Sequence, residues 1–169
     1  MIFVTVGVQL PFDRLIRTMD EWASTRRRRD VLAQVGASTY VPRSLETRPF
    51  LKADELETVL QDAELIVAHA GMGSIITALE LCKPIFILPR RAALGEHRND
   101  HQLATATRMA AQPNVTVADD EQSLVGMLDA FRPHQAAQGL ASQASERLLT
   151  ELTAFIQAPA GRGRPGARA

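Results

Sequence analysis

Short apolar runs recur along this chain, and segments with helical periodicity separate them. Residues 65–69 and 84–88 are the clearest runs, because almost every position in them is apolar. Continuous runs of this length are typical of parallel strands that are covered on both faces. The first intervening segment instead repeats apolar residues at spacings of three and four, the period of one helix face. These residues are Phe12, Leu15, Ile16, Met19 and Trp22.

The whole chain follows this alternation, which predicts an α/β fold with a Rossmann-like, doubly wound parallel sheet. Strands are predicted at residues 2–6, 31–35, 46–51, 65–69, 84–88 and 114–117. Helices are predicted after the first strand and at residues 53–62, 74–81, 99–111, 121–131 and 136–156. One domain is predicted over residues 1–157, and the Ala, Pro, Gly and Arg residues of 158–169 are expected to form a disordered tail.

Composition narrows the classes of function. Lysine plus arginine and aspartate plus glutamate both number 19, so the formal net charge is zero. That balance argues against a protein built chiefly to bind nucleic acid, which usually needs a basic surplus. Cys82 is the single cysteine, so no intrachain disulfide can form, and a reducing compartment is expected. No apolar segment approaches the roughly 20 residues of a membrane span, so we expect a soluble cytoplasmic protein.

In an open α/β sheet, ligands bind at the carboxyl ends of the strands. The glycine segment (residues 69–74) lies at such an end, where a buried strand runs into Gly71, Gly73 and Ser74 and then into a helix. Glycine lets a ligand approach the backbone, and the helix start offers N–H groups and a positive dipole end, which favour phosphate. The alternative is a tight strand–helix turn in which Ser74 caps the helix. Ile76 stands where a dinucleotide fingerprint would need its third glycine.

The polar segment (residues 89–102) follows the next strand and is entirely polar from Glu96 onward. Asn, Asp, His and Gln side chains together offer both hydrogen-bond donors and acceptors, which suits a hydroxyl-rich ligand such as a sugar. A solvated loop with a helix N-cap at Asn99 is the alternative. The spacing of His97, Asp100 and His101 would also allow a metal, but no further ligand cluster accompanies them, and no metal is expected.

Two single residues also leave alternatives open. His69, at the end of its strand, is either a donor to a phosphate or sugar or a buried histidine bonded to backbone. Glu80 lies six residues past the serine of the glycine segment. Its carboxylate either reaches a ribose hydroxyl or makes a surface ion pair.

Several motifs, taken together and in order, resemble the glycosyltransferase family 28 C-terminal domain, the nucleotide-sugar half of the GT-B fold. The likeness is greatest to stand-alone members that serve as catalytic subunits of two-component transferases making capsule, exopolysaccharide or dolichol-linked sugars. It covers roughly residues 1–156. The matching segments are residues 2–7, 9–15, 69–74, 83–84, 89–91 and 95–102.

The resemblance implies a UDP-sugar donor, inverting transfer and no cofactor or metal. It places Gly71, Gly73 and Ser74 around the diphosphate, with His69 nearby. It places Asn99, His101 and Gln102 toward the donor sugar, with Glu96 beside them. Gly7 and Gln9 would line the cleft. Two positions depart from the family pattern. Val8 stands where a threonine is common, and Thr77 stands where many members have a ribose-binding glutamate, which leaves Glu80 as the nearest carboxylate.

A GT-B enzyme has two Rossmann-like halves, and this chain resembles one of them. The resemblance therefore implies a hexosyltransferase that works with a separate, membrane-associated subunit, which binds a lipid-linked acceptor for cell-surface polysaccharide. A general base must deprotonate the acceptor, and Glu96, His97 and His101 are the candidates in this chain. Rival hypotheses are a non-catalytic accessory half and an unrelated regulatory nucleotide-binding domain. Self-association is also expected of a half-enzyme that exposes an apolar docking face.

Overall fold

A computed structural model describes residues 1–133, which fold into six strands, five α-helices and one 3₁₀ turn. The strands are β1 (Ile2–Thr5), β2 (Val31–Gln34), β3 (Glu46–Arg48), β4 (Leu65–His69), β5 (Ile85–Leu88) and β6 (Val115–Val117). The helices are α1 (Asp13–Arg26), α2 (Ala53–Asp62), α3 (Met72–Glu80), α4 (His101–Met109) and α5 (Glu121–Ala130), and the 3₁₀ turn is Ala92–Leu94.

The six strands form one sheet in the order β3-β2-β1-β4-β5-β6, and every pairing is parallel. Ile2 of β1 lies opposite Val31 on one side and Leu65 on the other. The chain therefore winds outward from β1 in one direction and, after β3, returns to β4 and winds in the other. This order confirms the predicted doubly wound sheet and places its topological switch point between β1 and β4.

Alternate residues of the central strands enter two separate cores, one on each face of the sheet. Ile2 and Val4 point to one face, where α1 and α5 cover them, whereas Phe3 and Ile66 point to the other, beneath α2, α3 and α4. All five apolar residues that predicted the first helix face are buried in the first core. Burial on both faces explains why the strands are continuous apolar runs rather than alternating ones.

The ends of several elements differ from the prediction. β3 stops at Arg48 rather than residue 51, because Pro49 has no N–H to continue the ladder. α3 begins at Met72 rather than residue 74, so Gly73 belongs to its first turn. α4 begins at His101 rather than residue 99, and Asp100 rather than Asn99 is its N-cap.

The predicted helix at 136–156, the domain boundary at 157 and the tail at 158–169 all lie outside the described residues. Within residues 1–133, no helix is both long enough and apolar enough to cross a bilayer.

Candidate active site

A cleft of about 480 Å³ opens at the carboxyl ends of the central strands, beside the switch point. Ten residues that the sequence analysis proposed line it: Gly7, Gln9, His69, Gly71, Gly73, Ser74, Thr77, His97, His101 and Gln102. A larger and more open depression of about 690 Å³ runs along the outer surface of α1 and α5, but none of the proposed site residues lines it. The cleft is therefore the candidate active site.

The glycine segment brings the start of α3 to the cleft. Gly71 occupies the N-cap position, so the alternative in which Ser74 caps this helix is wrong, and Ser74 lies in the first turn. A Cβ placed on Gly73 would meet nothing within 4 Å, so open space lies in front of this turn. The first N–H groups of a helix have no intrahelical acceptor, and the helix dipole is positive there. The arrangement suits an anionic group in that space.

The imidazole of His69 packs against two glycines. A Cβ on Gly71 would stand 2.1 Å from its Nε2 atom, and a Cβ on Gly7 would stand 2.7 Å from its Cε1 atom. Gly7 also has a φ of +76°, a conformation that favours glycine. Burial, and then the positive charge of Arg90, lower the pKa of His69 to about 4. His69 is thus neutral at pH 7, and its buried Nδ1 atom has no hydrogen-bond partner within residues 1–133.

Two histidines of the polar segment stack edge to face at the cleft, with 4.3 Å between the ring centroids of His97 and His101. Asn99 lies between them in sequence and fixes both rings. Its Oδ1 atom accepts a hydrogen bond from Nδ1 of His101, and its backbone N–H donates to Nδ1 of His97 at 3.5 Å. A neutral imidazole carries one N–H and one acceptor nitrogen. In the neutral tautomers that fit these two bonds, Nε2 is an acceptor on His101 and a donor on His97.

Three proposed site residues lie outside the cleft lining. Glu80 is exposed at the last residue of α3, and a helix rises about 1.5 Å per residue, so its Cα lies roughly 9 Å along the axis from that of Ser74. Asn99 acts on the histidines rather than facing the cleft itself. Both carboxylate oxygens of Glu96 accept hydrogen bonds from within the chain, from Arg14 and from the backbone N–H of Arg91.

Arg90 lines the cleft and was not proposed as a site residue. Its side chain is only 3% exposed, and its Nη2 atom donates to the carbonyl oxygens of Val6 at 2.8 Å and Leu10 at 2.6 Å. The guanidinium lies 5.0 Å from the centroid of the Phe12 ring. Burial lowers its pKa, although the charge of Glu96 opposes that shift. The sequence offers only a strand-end arginine next to a second arginine, which does not indicate that one of them is buried.

Gln34 and Gln102 are the two buried carboxamides of the cleft, each 4% exposed. Gln102 was proposed from the sequence, and its Oε1 atom accepts the backbone N–H of Arg90 at 3.1 Å. Gln34 was missed, and its Oε1 atom accepts the N–H of Leu51 at 3.1 Å. Nothing in the sequence separates Gln34 from an ordinary strand-end residue.

Asp100, which the sequence offered as a metal ligand, instead accepts the backbone N–H of Ala92 at 2.8 Å. Among the residues that the structure describes, no three His, Cys, Asp or Glu side chains come together in a way that could hold a metal ion.

The fold and the position of the cleft define a Rossmann-like domain of the doubly wound class. More particularly, the chain belongs to the glycosyltransferase family 28 C-terminal domain, whose family model matches residues 1–155. This match confirms the family resemblance that the motifs, taken together and in order, indicated.

The chain is similar to a human protein described as UDP-N-acetylglucosamine transferase subunit ALG13. The two are 30% identical over 118 residues, which is 64% of this chain and 10% of the human protein. The chain therefore spans about a tenth of the length of that relative.

Two solved structures show the same fold. The glycotransferase of kitacinnamycin is 18% identical and matches 90% of this chain and 39% of its own, with a TM-score of 0.60. The solution structure of ALG13 is 20% identical and matches 89% of this chain and 94% of its own, with a TM-score of 0.57. The predicted fold, a single half of the GT-B architecture, is confirmed.

Proposed function

We propose that this chain is the donor-binding, catalytic subunit of a glycosyltransferase that transfers a sugar from a UDP-sugar to a lipid-linked acceptor. A separate membrane-associated subunit would bind the acceptor, and the product would be a cell-surface polysaccharide. One observation carries the proposal: a single cleft joins the positive start of α3, the buried cation of Arg90 and the two oriented histidines of the polar segment. Membership of a glycosyltransferase family supports it.

The diphosphate would lie in front of Gly73, where the structure leaves room for it. The N–H groups of the first turn of α3 would bind its oxygens, and the charge of Arg90 would balance part of its negative charge. His69 is neutral at pH 7 and would contribute a hydrogen bond rather than a charge. Charge on the leaving diphosphate grows as the bond to the sugar breaks, so fixed dipoles aimed at it stabilise the transition state more than the ground state.

The donor sugar would then face the polar segment. The acceptor oxygen attacks the anomeric carbon, the bond from that carbon to the UDP oxygen breaks, and UDP leaves with the bonding electrons. Of the three proposed bases, His101 is best suited to take the acceptor proton, because the neutral tautomer whose Nδ1 donates to Asn99 presents Nε2 as an acceptor. His97 would instead donate a hydrogen bond from Nε2 to the donor.

A partner half would cover the cleft. Val8 and Leu94 follow β1 and β5 and are 70% and 56% exposed, so apolar side chains stand on this edge of the sheet. This chain corresponds to 39% of the kitacinnamycin glycotransferase, which leaves most of that fold to be supplied by other residues. ALG13 is described as a transferase subunit, which agrees with a two-component enzyme.

The test is transfer by the full chain co-purified with its candidate partner, assayed with a panel of UDP-sugars. His101→Ala and Gln102→Ala should abolish transfer while co-purification is unchanged, and Thr107→Ala, an exposed position on the same helix, should leave both intact. If the pair transfers sugar and both cleft variants remain fully active, the chain is an accessory half rather than the catalytic one.

A further inference from the structure

An ion pair ties the polar segment to α1. Nε of Arg14 lies 2.6 Å from Oε1 of Glu96, and Nη2 of Arg14 lies 2.9 Å from Oε2, so the contact is bidentate. Both side chains are only 12% exposed, and the two residues are 82 positions apart in sequence. A bidentate pair that is mostly shielded from solvent is screened less by salt and holds its geometry better than a surface pair.

Arg14 and Glu96 make further hydrogen bonds, which connect the start of the turn at residues 89–96 with its end. Nη2 of Arg14 also donates to the carbonyl oxygen of Pro89 at 2.9 Å, and Oε2 of Glu96 accepts the N–H of Arg91 at 2.9 Å. Nη1 of Arg14 reaches Glu121 of α5 at 3.2 Å. The turn from residue 89 to residue 96 is thus closed on itself and fastened to two helices.

Burial alone would lower the pKa of the Arg14 guanidinium. Its hydrogen bonds to Glu96 and the charges of Glu96 and Glu121 outweigh burial and raise the pKa above its ordinary value. Arg14 therefore stays charged, and the oxygens of Glu96 stay engaged. A carboxylate that already accepts three hydrogen bonds within its own chain is poorly placed to collect a proton from a substrate.

We propose that Arg14 and Glu96 are positioning residues, which hold the polar segment so that His97 and His101 face the donor sugar. The effect on catalysis rests on the proposed function, whereas the effect on the two histidines does not. Glu96 directly precedes His97, so a displaced carboxylate moves the histidine backbone with it. His97 in turn contacts the ring of His101. Small displacements of catalytic groups can cost up to about 100-fold in rate.

The experiment compares Arg14→Gln, Glu96→Gln and the double variant with Arg26→Gln. Arg26 is the matched control, because it lies on the same helix and makes a bidentate pair of similar lengths, 2.9 and 2.6 Å, with Asp129, but on the exposed surface. Arg14→Lys is the milder variant, which keeps the charge and loses the bidentate fork. Two readouts are taken on the full chain: the imidazole NMR resonances of His97 and His101, and kcat and KM of transfer by the reconstituted pair.

We expect Arg14→Gln and Glu96→Gln to shift both histidine resonances alike and to lower kcat by about 10- to 100-fold. The double variant should lose less than the sum of the two single losses, because each single variant already removes the contact between Arg14 and Glu96. For Arg14→Lys, both the resonance shifts and the loss in kcat should be smaller than for Arg14→Gln. Arg26→Gln should change neither the resonances nor kcat.

Two results would overturn the proposal. One is a loss of transfer in Glu96→Gln while Arg14→Gln stays near wild type and the resonances do not move, which would make Glu96 the base. The other is the absence of any resonance shift in folded Arg14→Gln, Arg14→Lys and Glu96→Gln. If the wild-type pair transfers no sugar at all, the proposed function fails, and the NMR comparison still decides whether the pair positions the histidines.

Discussion

The glycine segment and the polar segment face the same cleft, but different interactions hold them. The glycine segment is fixed by close packing: the N–H of Gly71 bonds to the carbonyl oxygen of His69 at 2.8 Å, and the His69 ring packs on the backbones of Gly71 and Gly7. The polar segment is fixed by side chains from elsewhere, above all by Arg14 of α1. The first segment depends on steric fit, and the second depends on charged hydrogen bonds.

This difference matters for how each segment responds to change. A close-packed turn fails when atoms are added, because no neighbour can move far. A network of charged side chains fails when one partner is removed, because the remaining partner is left unsatisfied. The two segments should therefore be sensitive to opposite kinds of substitution, and the predictions below run from the largest expected effect to the smallest.

Arg90→Met should be the most damaging change next to the cleft. It removes two hydrogen bonds from a charged donor to the carbonyl oxygens of Val6 and Leu10, which together contribute about 3–5 kcal/mol. Urea unfolding would measure the loss. Arg91→Met is the control, because it keeps the backbone N–H to Glu96 and loses only an exposed side-chain bond to the carbonyl oxygen of Asp119. Equal losses in the two variants would contradict the special role of Arg90.

Stability should fall as the pH drops from about 6.5 to 4, with His69 as a main cause. The pKa of His69 is about 4 in the folded chain, against an ordinary value of 6.5. Between these values the unfolded chain binds a proton that the folded chain does not, so acid favours unfolding by up to about 3 kcal/mol. Below pH 4 both states are protonated, so the destabilisation has reached its full value and no longer changes with pH.

His69→Gln provides the comparison for that pH dependence. Its stability should vary less between pH 6.5 and 4 than that of the wild type, in urea titrations at each pH. The carboxylate of Asp129 has a pKa of about 2, so it titrates below this window. Identical pH profiles for the two proteins would show that His69 is not the group responsible.

Gly71→Ala and Gly73→Ala should change stability in opposite directions. The new Cβ at residue 71 would displace the His69 ring, which costs about 1–3 kcal/mol. The new Cβ at residue 73 meets nothing, and alanine in a helical position stabilises by about 0.4–1 kcal/mol. Thermal unfolding of both variants would measure the contrast. The steric account of the glycine segment does not survive if Gly71→Ala is as stable as Gly73→Ala.

Asp100→Ala should have the smallest effect, a loss of about 0.5–1 kcal/mol. Its carboxylate is exposed and makes a single described bond, to the N–H of Ala92 at 2.8 Å. Urea unfolding of Asp100→Ala and Arg90→Met would show whether the buried hydrogen bonds of Arg90 stabilise the protein more than the exposed bond of Asp100. A loss as large as that of Arg90→Met would contradict this view.

The fold and the glycine segment could be predicted from sequence because their signals are local. The strand runs and the helix face of Leu15 and Met19 repeat over a few residues, and both residues are buried as expected. The predicted start of α3 is two residues too late. Serine favours the N-cap position, so the prediction began the helix at Ser74. Glycine also occurs at the N-cap, but in a sequence it more often indicates a loop. Errors of this size concern only the ends of elements.

The polar segment could be recognised as polar, but its internal roles could not be assigned. Glu96 looked like a base because the sequence does not show that Arg14 lies against it. Arg90 was not proposed as a site residue, because its acceptors, the carbonyl oxygens of Val6 and Leu10, carry no side-chain signal. Contacts between residues so far apart in the chain depend on the completed fold, and a single sequence holds no local trace of them.

The central claim is that the cleft binds the diphosphate of a UDP-sugar in front of the first turn of α3. Calorimetric titration of the chain with UDP, UDP-sugars, other nucleotides and NAD, alone and with its candidate partner, tests it directly. Gly73→Val is the decisive variant, because a Cβ at this position meets nothing in the free protein, whereas the side chain would fill the space that we assign to the diphosphate. We predict selective binding of UDP and one UDP-sugar to the wild type, which Gly73→Val abolishes while the chain stays folded. Undiminished binding to Gly73→Val, or no binding in either form of the wild type, would contradict the claim.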